Sequence, residues 1–387
     1  MSIALPRFPQ PTTETAQLAL DAILQKPTRG IPSWLLNPMS HAHIERLAGA
    51  APGAYRREPE KTYLAMQYAA GACLLDQWIP RNPLTMGESG YEEDATQRSS
   101  ATAGIHEITC DGMPIDSPEA VVEHLERVQF PRLHRAIAEF DEDARARQII
   151  EGEIALQAEL GSGILKSGYG FIAFPGLDYT RYGYTHYFMA YALYPDVMER
   201  HFSLEADYAL LNNRAAARAY TEGDLPPLYR LDHDMADSRG TLVRIASLDR
   251  LWFPHFARFL APVLKIGLRL IWHCDGNLMQ MAPRLLDVGI HGFQGFQYEA
   301  GMDYEKICAM KTMGGEDLII IGGVSVTRTL PFGAPADVRR ELAWLVERGP
   351  KTGLFLGGSS SITPGVPWEN MQTLVEGLAY YRRRGSS

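Results

Sequence analysis

The stretch IWHCDGN, residues 271–277, sets His273, Cys274 and Asp275 side by side between an apolar run and a helix-like segment. An imidazole beside a carboxylate can hold a metal, work as an acid/base pair, or simply end a buried strand. If extended geometry persists through residue 275, His273 and Asp275 face one side and Cys274 the other, because side chains alternate along a strand. The histidine and aspartate are then the pocket pair, and Cys274 packs in the wall. Similar groups end other apolar runs: Asp76, then Asp232, His233 and Asp234, then Glu299. Small residues end two more, Gly322-Gly323 and Gly357-Gly358-Ser359-Ser360-Ser361. Singly, each has a plain structural role, such as an aspartate bonding backbone amides in a turn or a glycine permitting one. Together at successive strand tips, they point to one polar pocket and to an enzyme.

The elements that must carry these tips repeat through the second half of the chain. A short apolar run leads to a small or polar tip and then an amphipathic helix, the pattern of parallel βαβ units. LPPLYRLDHDMAD (225–237) precedes a helix over 247–267, and LRLIWHCDGN (268–277) precedes one that stops at Gly289. HGFQGFQYE (291–299), EDLIIIGGVSV (316–326) and KTGLFLGGSSS (351–361) repeat the plan. Further strands are expected near 31–35, 73–79 and 163–174, long helices over 117–160 and 181–222, and a β-hairpin over 104–115, where Asp111-Gly112 supplies the turn. The economical closure is a (β/α)8 TIM barrel, class α/β, with an N-terminal helical extension over about residues 1–30 and the hairpin as an insertion. No low-complexity linker divides residues 1–387, so a single domain is expected. An open doubly wound sheet is less economical, because no G-x-G-x-x-G follows a first strand.

Composition narrows the partners. With 46% hydrophobic and 21% charged residues the chain can bury a large core, and its net charge of −9 repels polyanions, so nucleic acid is not an expected partner. Arg382, Arg383 and Arg384 read as a helix end that suits the helix dipole. Cys73, Cys110, Cys274 and Cys308 form no C-x-x-C pair, which argues against a zinc knuckle or disulfide framework and for a reducing, cytoplasmic setting. No membrane span or signal peptide is expected. The order G-G-S-S-S-I lacks a G-x-S-x-G elbow, and no phosphate-binding loop occurs.

Read in succession, Asp-His-Asp (232–234), H-C-D-G-N (273–277), Y-E-A-G-M-D (298–303), I-I-G-G-V (320–324) and L-G-G-S-S-S-I-T-P-G-V-P-W-E-N (356–370) resemble the uroporphyrinogen decarboxylase superfamily. The resemblance covers roughly residues 225–382 and implies a single (β/α)8 barrel. It implies one of two chemistries. One branch decarboxylates uroporphyrinogen without a cofactor, through N-terminal arginines and an aspartate that Asp76 would match. The other transfers methyl groups between substrates, corrinoid proteins and acceptors, often through zinc. Here IPSWLLNPMSHAHIERLAG (31–49) keeps Pro32 and Trp34 but lacks the decarboxylase arginines, and His273 matches the methyltransferase histidine while Asp275 replaces its cysteine.

The expectation is therefore methyl transfer, of O-demethylase or corrinoid-linked type, with decarboxylation of uroporphyrinogen or another carboxylic acid as the alternative and a non-catalytic ligand-binding barrel as a third. His273, Asp275, Asp232, Asp234 and Asp76 are the expected catalytic residues. Trp34, His233, Asn277, Gly322 and Ser359 are the expected substrate contacts. Zinc or another divalent metal would sit on His273, Asp275 and Glu299, and a corrinoid would arrive on a partner protein; the oligomeric state is left open, with a homodimer as one candidate, and a decarboxylase would need no cofactor.

Overall fold

The structure is a computed structural model that describes residues 6–85 and 108–384. Its parallel strands are, in chain order, β1 (Leu74–Leu75), β2 (Leu165–Lys166), β3 (Gly168–Tyr169), β4 (Leu228–Asp232), β5 (Arg269–His273), β6 (Gly292–Gln294), β7 (Ile319–Val324) and β8 (Leu354–Gly358). Strands β3 to β8 lie in sequence order in one six-stranded parallel sheet, and β1 pairs with β2 apart from it. Nearly every residue of β4 to β8 is buried. Burial on both faces is what helices returning after each parallel strand impose.

Those helices match the amphipathic runs of the second half. Ile245–Leu251 and Phe253–Lys265 follow β4, Ala282–Asp287 follows β5, Tyr304–Ala309 follows β6, Pro335–Arg348 follows β7 and Trp368–Arg384 follows β8. The long helix Pro195–Gly223 leads from β3 to β4. Trp272, on the outer face of β5, packs its ring against Phe174, Trp252 and Phe256 at centroid distances of 5.5, 5.9 and 6.1 Å. That contact anchors the strand carrying His273 to its covering helices.

This is a TIM-like α/β fold whose continuous ladder is a half-barrel, not the full eight-stranded barrel sheet expected. The strand anticipated at 31–35 is reduced to isolated parallel bridges, Ser33 with Leu356 and Trp34 with Leu74. Its short span runs between Pro32 and Pro38, and a proline has no N–H to give a ladder. The N-terminal extension does form a helix, Glu14–Ile23, whose Thr13 hydroxyl accepts from Ala16 N–H. The hairpin pairs Thr109–Cys110 with Met113–Pro114 around Asp111 and Gly112, both at positive φ, as a mirror-image two-residue turn requires. Residues 104–107 of the expected hairpin lie outside the described residues. A second small hairpin, Ala236–Asp237 with Gly240–Thr241, follows β4 and was not expected from the sequence. Among the described residues no helix is long and apolar enough to cross a membrane.

Candidate functional site

Arg230 lies inside β4, where alternation puts it on the same face as Asp232. It is 3% exposed, and four acceptor and aromatic partners surround it. Its Nε donates to Asp76 Oδ2, and its Nη1 donates to Asp232 Oδ2 at 2.8 Å. The guanidinium carbon stands 4.7 Å from the centre of the Tyr169 ring and 5.6 Å from that of Trp34. Asp76 is thereby fully engaged, since its Oδ1 also accepts from Trp34 Nε1 at 3.1 Å and from Gln77 N–H at 2.8 Å. Its role is to hold Arg230 and Trp34. Arg230 Nη2 remains buried without a partner.

Strand register builds the next layer. Asp232 pairs across the ladder with His273, and His273 with Gln294, so three polar side chains from β4, β5 and β6 form a row. His273 Nε2 lies 3.9 Å from Asp232 Oδ1. Burial pushes the Asp232 carboxyl up, but the charges of His273 and Arg230 and hydrogen bonds from Tyr169 and Arg230 outweigh it, leaving it below the ordinary carboxylate range. His273 Nδ1 and Gln294 Oε1 are buried and unpartnered. Gly295, at φ +86°, backs the imidazole so closely that a Cβ there would fall 2.6 Å from His273 Nδ1.

At and just beyond the strand ends, Asp234, His273 and Asp275 offer ligand atoms within 4.8 Å of one another. Asp234 Oδ1 accepts from Asp275 N–H at 2.8 Å, and Tyr179 donates to the Asp234 carbonyl at 2.8 Å. Burial raises the Asp275 carboxyl, and the charges of Asp234 and Asp232 raise it further against the pull of His273. Its Oδ1 has no hydrogen-bond partner. One imidazole and two carboxylates, with unsatisfied donor atoms on two of the three residues, form a set that suits a divalent cation such as zinc or manganese.

The other expected residues are placed differently. Glu299 turns to the end of β7, where Ser325 and Thr327 hydroxyls donate to it, so the second carboxylate beside His273 and Asp275 is Asp234. His233 is structural: its Nε2 accepts from Leu177 N–H at 2.8 Å, its ring stacks on Tyr179, and burial pulls its pKa down to about 4. Asn277 Oδ1 accepts from Met279 N–H in a local turn. Gly322 faces the covering helices, since a Cβ there would meet Tyr304 and Leu345. Ser359 Oγ accepts from Val326 N–H, again a structural bond. Cys274 is buried in the wall, its sulfur accepting from Met235 N–H and donating to the Asp275 carbonyl, and burial pushes its thiol far up.

A cavity of about 250 Å³ opens against this row. Trp34, Arg230, Asp232, His273, Gln294 and Ser360 line it, along with Asn37, Gln77 and Ser361. Arg230 and Gln294 escaped sequence reasoning, although a charged residue within the otherwise apolar LYRLD was a usable signal. Nothing comparable marked Gln294, Asn37 or Gln77, which enter through register and loop placement.

No protein-family model matches the sequence, and no curated protein matches it. Among solved structures, the chain is similar to a methyltransferase from Methanosarcina mazei, with a TM-score of 0.55 at 16% identity over 95% of this chain and 98% of that one. At that identity the likeness is one of fold.

Proposed function

We propose that the chain is an enzyme of small-molecule methyl transfer whose reacting centre is the cluster Asp234, His273 and Asp275 beside the cavity. The observation that carries this is the convergence of one imidazole and two carboxylates, two of the three residues holding unpartnered donor atoms, at the C-terminal ends of parallel strands. Active sites of barrel enzymes are built at that face. The fold likeness to a methyltransferase supports the same chemistry, as does the sequence resemblance to the superfamily that contains such enzymes. A zinc or other divalent ion held by Asp234, His273 and Asp275 would supply Lewis acidity toward an acceptor thiol or an ether oxygen. The protein's own groups have separate work: Asp232 orients the His273 ring, Arg230 holds Asp232, and Gln294, Asn37 and Ser361 present polar atoms to the substrate. In the corrinoid-linked version, a partner protein brings the corrinoid to the open side of this cavity.

We read the isolated bridges at Ser33 and Trp34 as the closure of an eight-position ring, because Trp34 N–H donates to Leu356 O at 2.8 Å while Cys73 N–H donates to Ser33 O at 2.9 Å. Residues 1–387 are then one barrel domain, in keeping with the span of the structural match.

The cavity's charge disfavours a polycarboxylate. Arg230 is the one lysine or arginine among the described residues that line it, and two of its nitrogens already serve Asp76 and Asp232. A substrate as large and acidic as uroporphyrinogen finds few charge-assisted contacts there. The volume is also below the roughly 300–1,000 Å³ typical of drug-sized ligand sites. Decarboxylation of a small monocarboxylic acid is the second reading, favoured by the free Nη2 of Arg230. The test is elemental analysis of the pure protein with assays of methyl transfer to a corrinoid and of CO2 release from small acids. A metal-free protein whose His273→Ala variant keeps full methyl transfer refutes the leading reading.

A further inference from the structure

A second cluster lies behind the segment that follows β3. His201 and Glu205 sit one helical turn apart on the long helix Pro195–Gly223, so they share a face. His201 Nε2 is 3.3 Å from Glu205 Oε1 and 3.8 Å from Asp178 Oδ2. The three residues offer ligand atoms within 4.8 Å of one another. Glu205 Oε2 also accepts from Gly176 N–H at 3.3 Å, which fixes it against the loop.

Two further observations point into the same place. His201 is only 2% exposed, and its Nδ1 has no hydrogen-bond partner. The Tyr187 hydroxyl, on a fully buried ring beside Asp178, is also unpartnered. Burying an unpaired hydroxyl and an under-satisfied imidazole beside two acids is costly unless something completes the set. Charge points the same way, because Arg181 is the cation that acts on all three groups, one positive charge against two carboxylates.

We propose that Asp178, His201 and Glu205 form a second divalent-cation site, of zinc or manganese type, that fastens the segment after β3 to the long helix. One imidazole with two carboxylates suits those ions, whereas calcium prefers an all-oxygen set. The site is structural in purpose. The fastened segment carries Leu177, whose N–H donates to His233, and Tyr179, whose hydroxyl donates to the Asp234 carbonyl. A cation at Asp178 therefore steadies the residues that place Asp234 beside the cavity.

The test uses the full chain with His273→Ala and Asp275→Asn, which silences the pocket cluster. After chelation and dialysis, binding of zinc alone is measured by equilibrium dialysis with elemental analysis. The expected result is about one tight equivalent, and adding Glu205→Gln weakens it by at least the roughly 10–100-fold that loss of a supporting group causes at metal sites. No tight equivalent in the silenced chain, or binding unchanged by a folded Glu205→Gln variant, overturns the proposal. If Glu205→Gln does not fold, manganese on the silenced chain is examined by pulsed electron paramagnetic resonance. A directly coordinated imidazole nitrogen supports the site, and its absence overturns it.

Discussion

Replacing Arg230 by methionine keeps much of the side chain's bulk and removes the charge that holds two acids. Arg230 and Asp76 are each 3% exposed, and Asp232 is partly buried, so solvent can do little to compensate. Deleting one partner of such a buried pair costs about 3–5 kcal/mol, because the carboxylates are left without a counter-charge. For 387 residues at about 2.1 cal/mol/K each, the unfolding entropy is about 0.8 kcal/mol/K near the midpoint. The expected loss is therefore about 4–6 °C in Tm, read by calorimetry. Adding Asp76→Asn and Asp232→Asn removes the orphaned charges, so the triple variant should recover most of that loss. An Arg230→Met midpoint within about 1 °C of the parent, or a triple variant that falls by the sum of the single losses, refutes the buried-network account.

Gly295→Ala should cost stability on the order of 1–3 kcal/mol from its positive φ, and weaken retention of the proposed metal by displacing His273; a wild-type midpoint would contradict this. Tyr229 accepts Phe171 and Ile172 N–H groups, both at 2.7 Å, so Tyr229→Phe should leave two buried amides unpaired at about 1–3 kcal/mol each in urea unfolding. Hydrogen bonds from Arg132 and His124 hold Asp111 below the usual carboxylate range. Its contribution is present above an unfolded value of about 3.9 and lost as pH falls through the lower folded value. Asp111→Asn keeps the left-handed turn, so its stability deficit should be constant at neutral pH and vanish in acid; a deficit that grows as pH falls would contradict the sign.

Much of the candidate site was legible because chemistry-bearing residues ended apolar runs. His273 and Asp275 follow LRLIW, Asp232 and Asp234 follow LPPLYRL, and alternation correctly sent Cys274 into the wall. The same tips misled where a polar residue serves the loop itself. His233 and Ser359 satisfy backbone amides, and Glu299 binds the Ser325–Thr327 turn, roles that residue type cannot distinguish from ligation.

The sequence by itself determined the alternation of strand and helix, the acidic character of the pocket and the identity of the groups at each tip, because these depend on local pattern and residue chemistry. Only the tertiary structure decided which tips meet. Asp232, His273 and Gln294 align because three strands share a register, and that register comes from packing such as Trp272 against Trp252 and Phe256. Asp76 and Arg230 are 154 positions apart in the chain, and Asp178 is joined to His201 and Glu205 across a crossover. Such long-range pairings leave no mark on local pattern, since their energy depends on burial and geometry that exist only after the chain has folded.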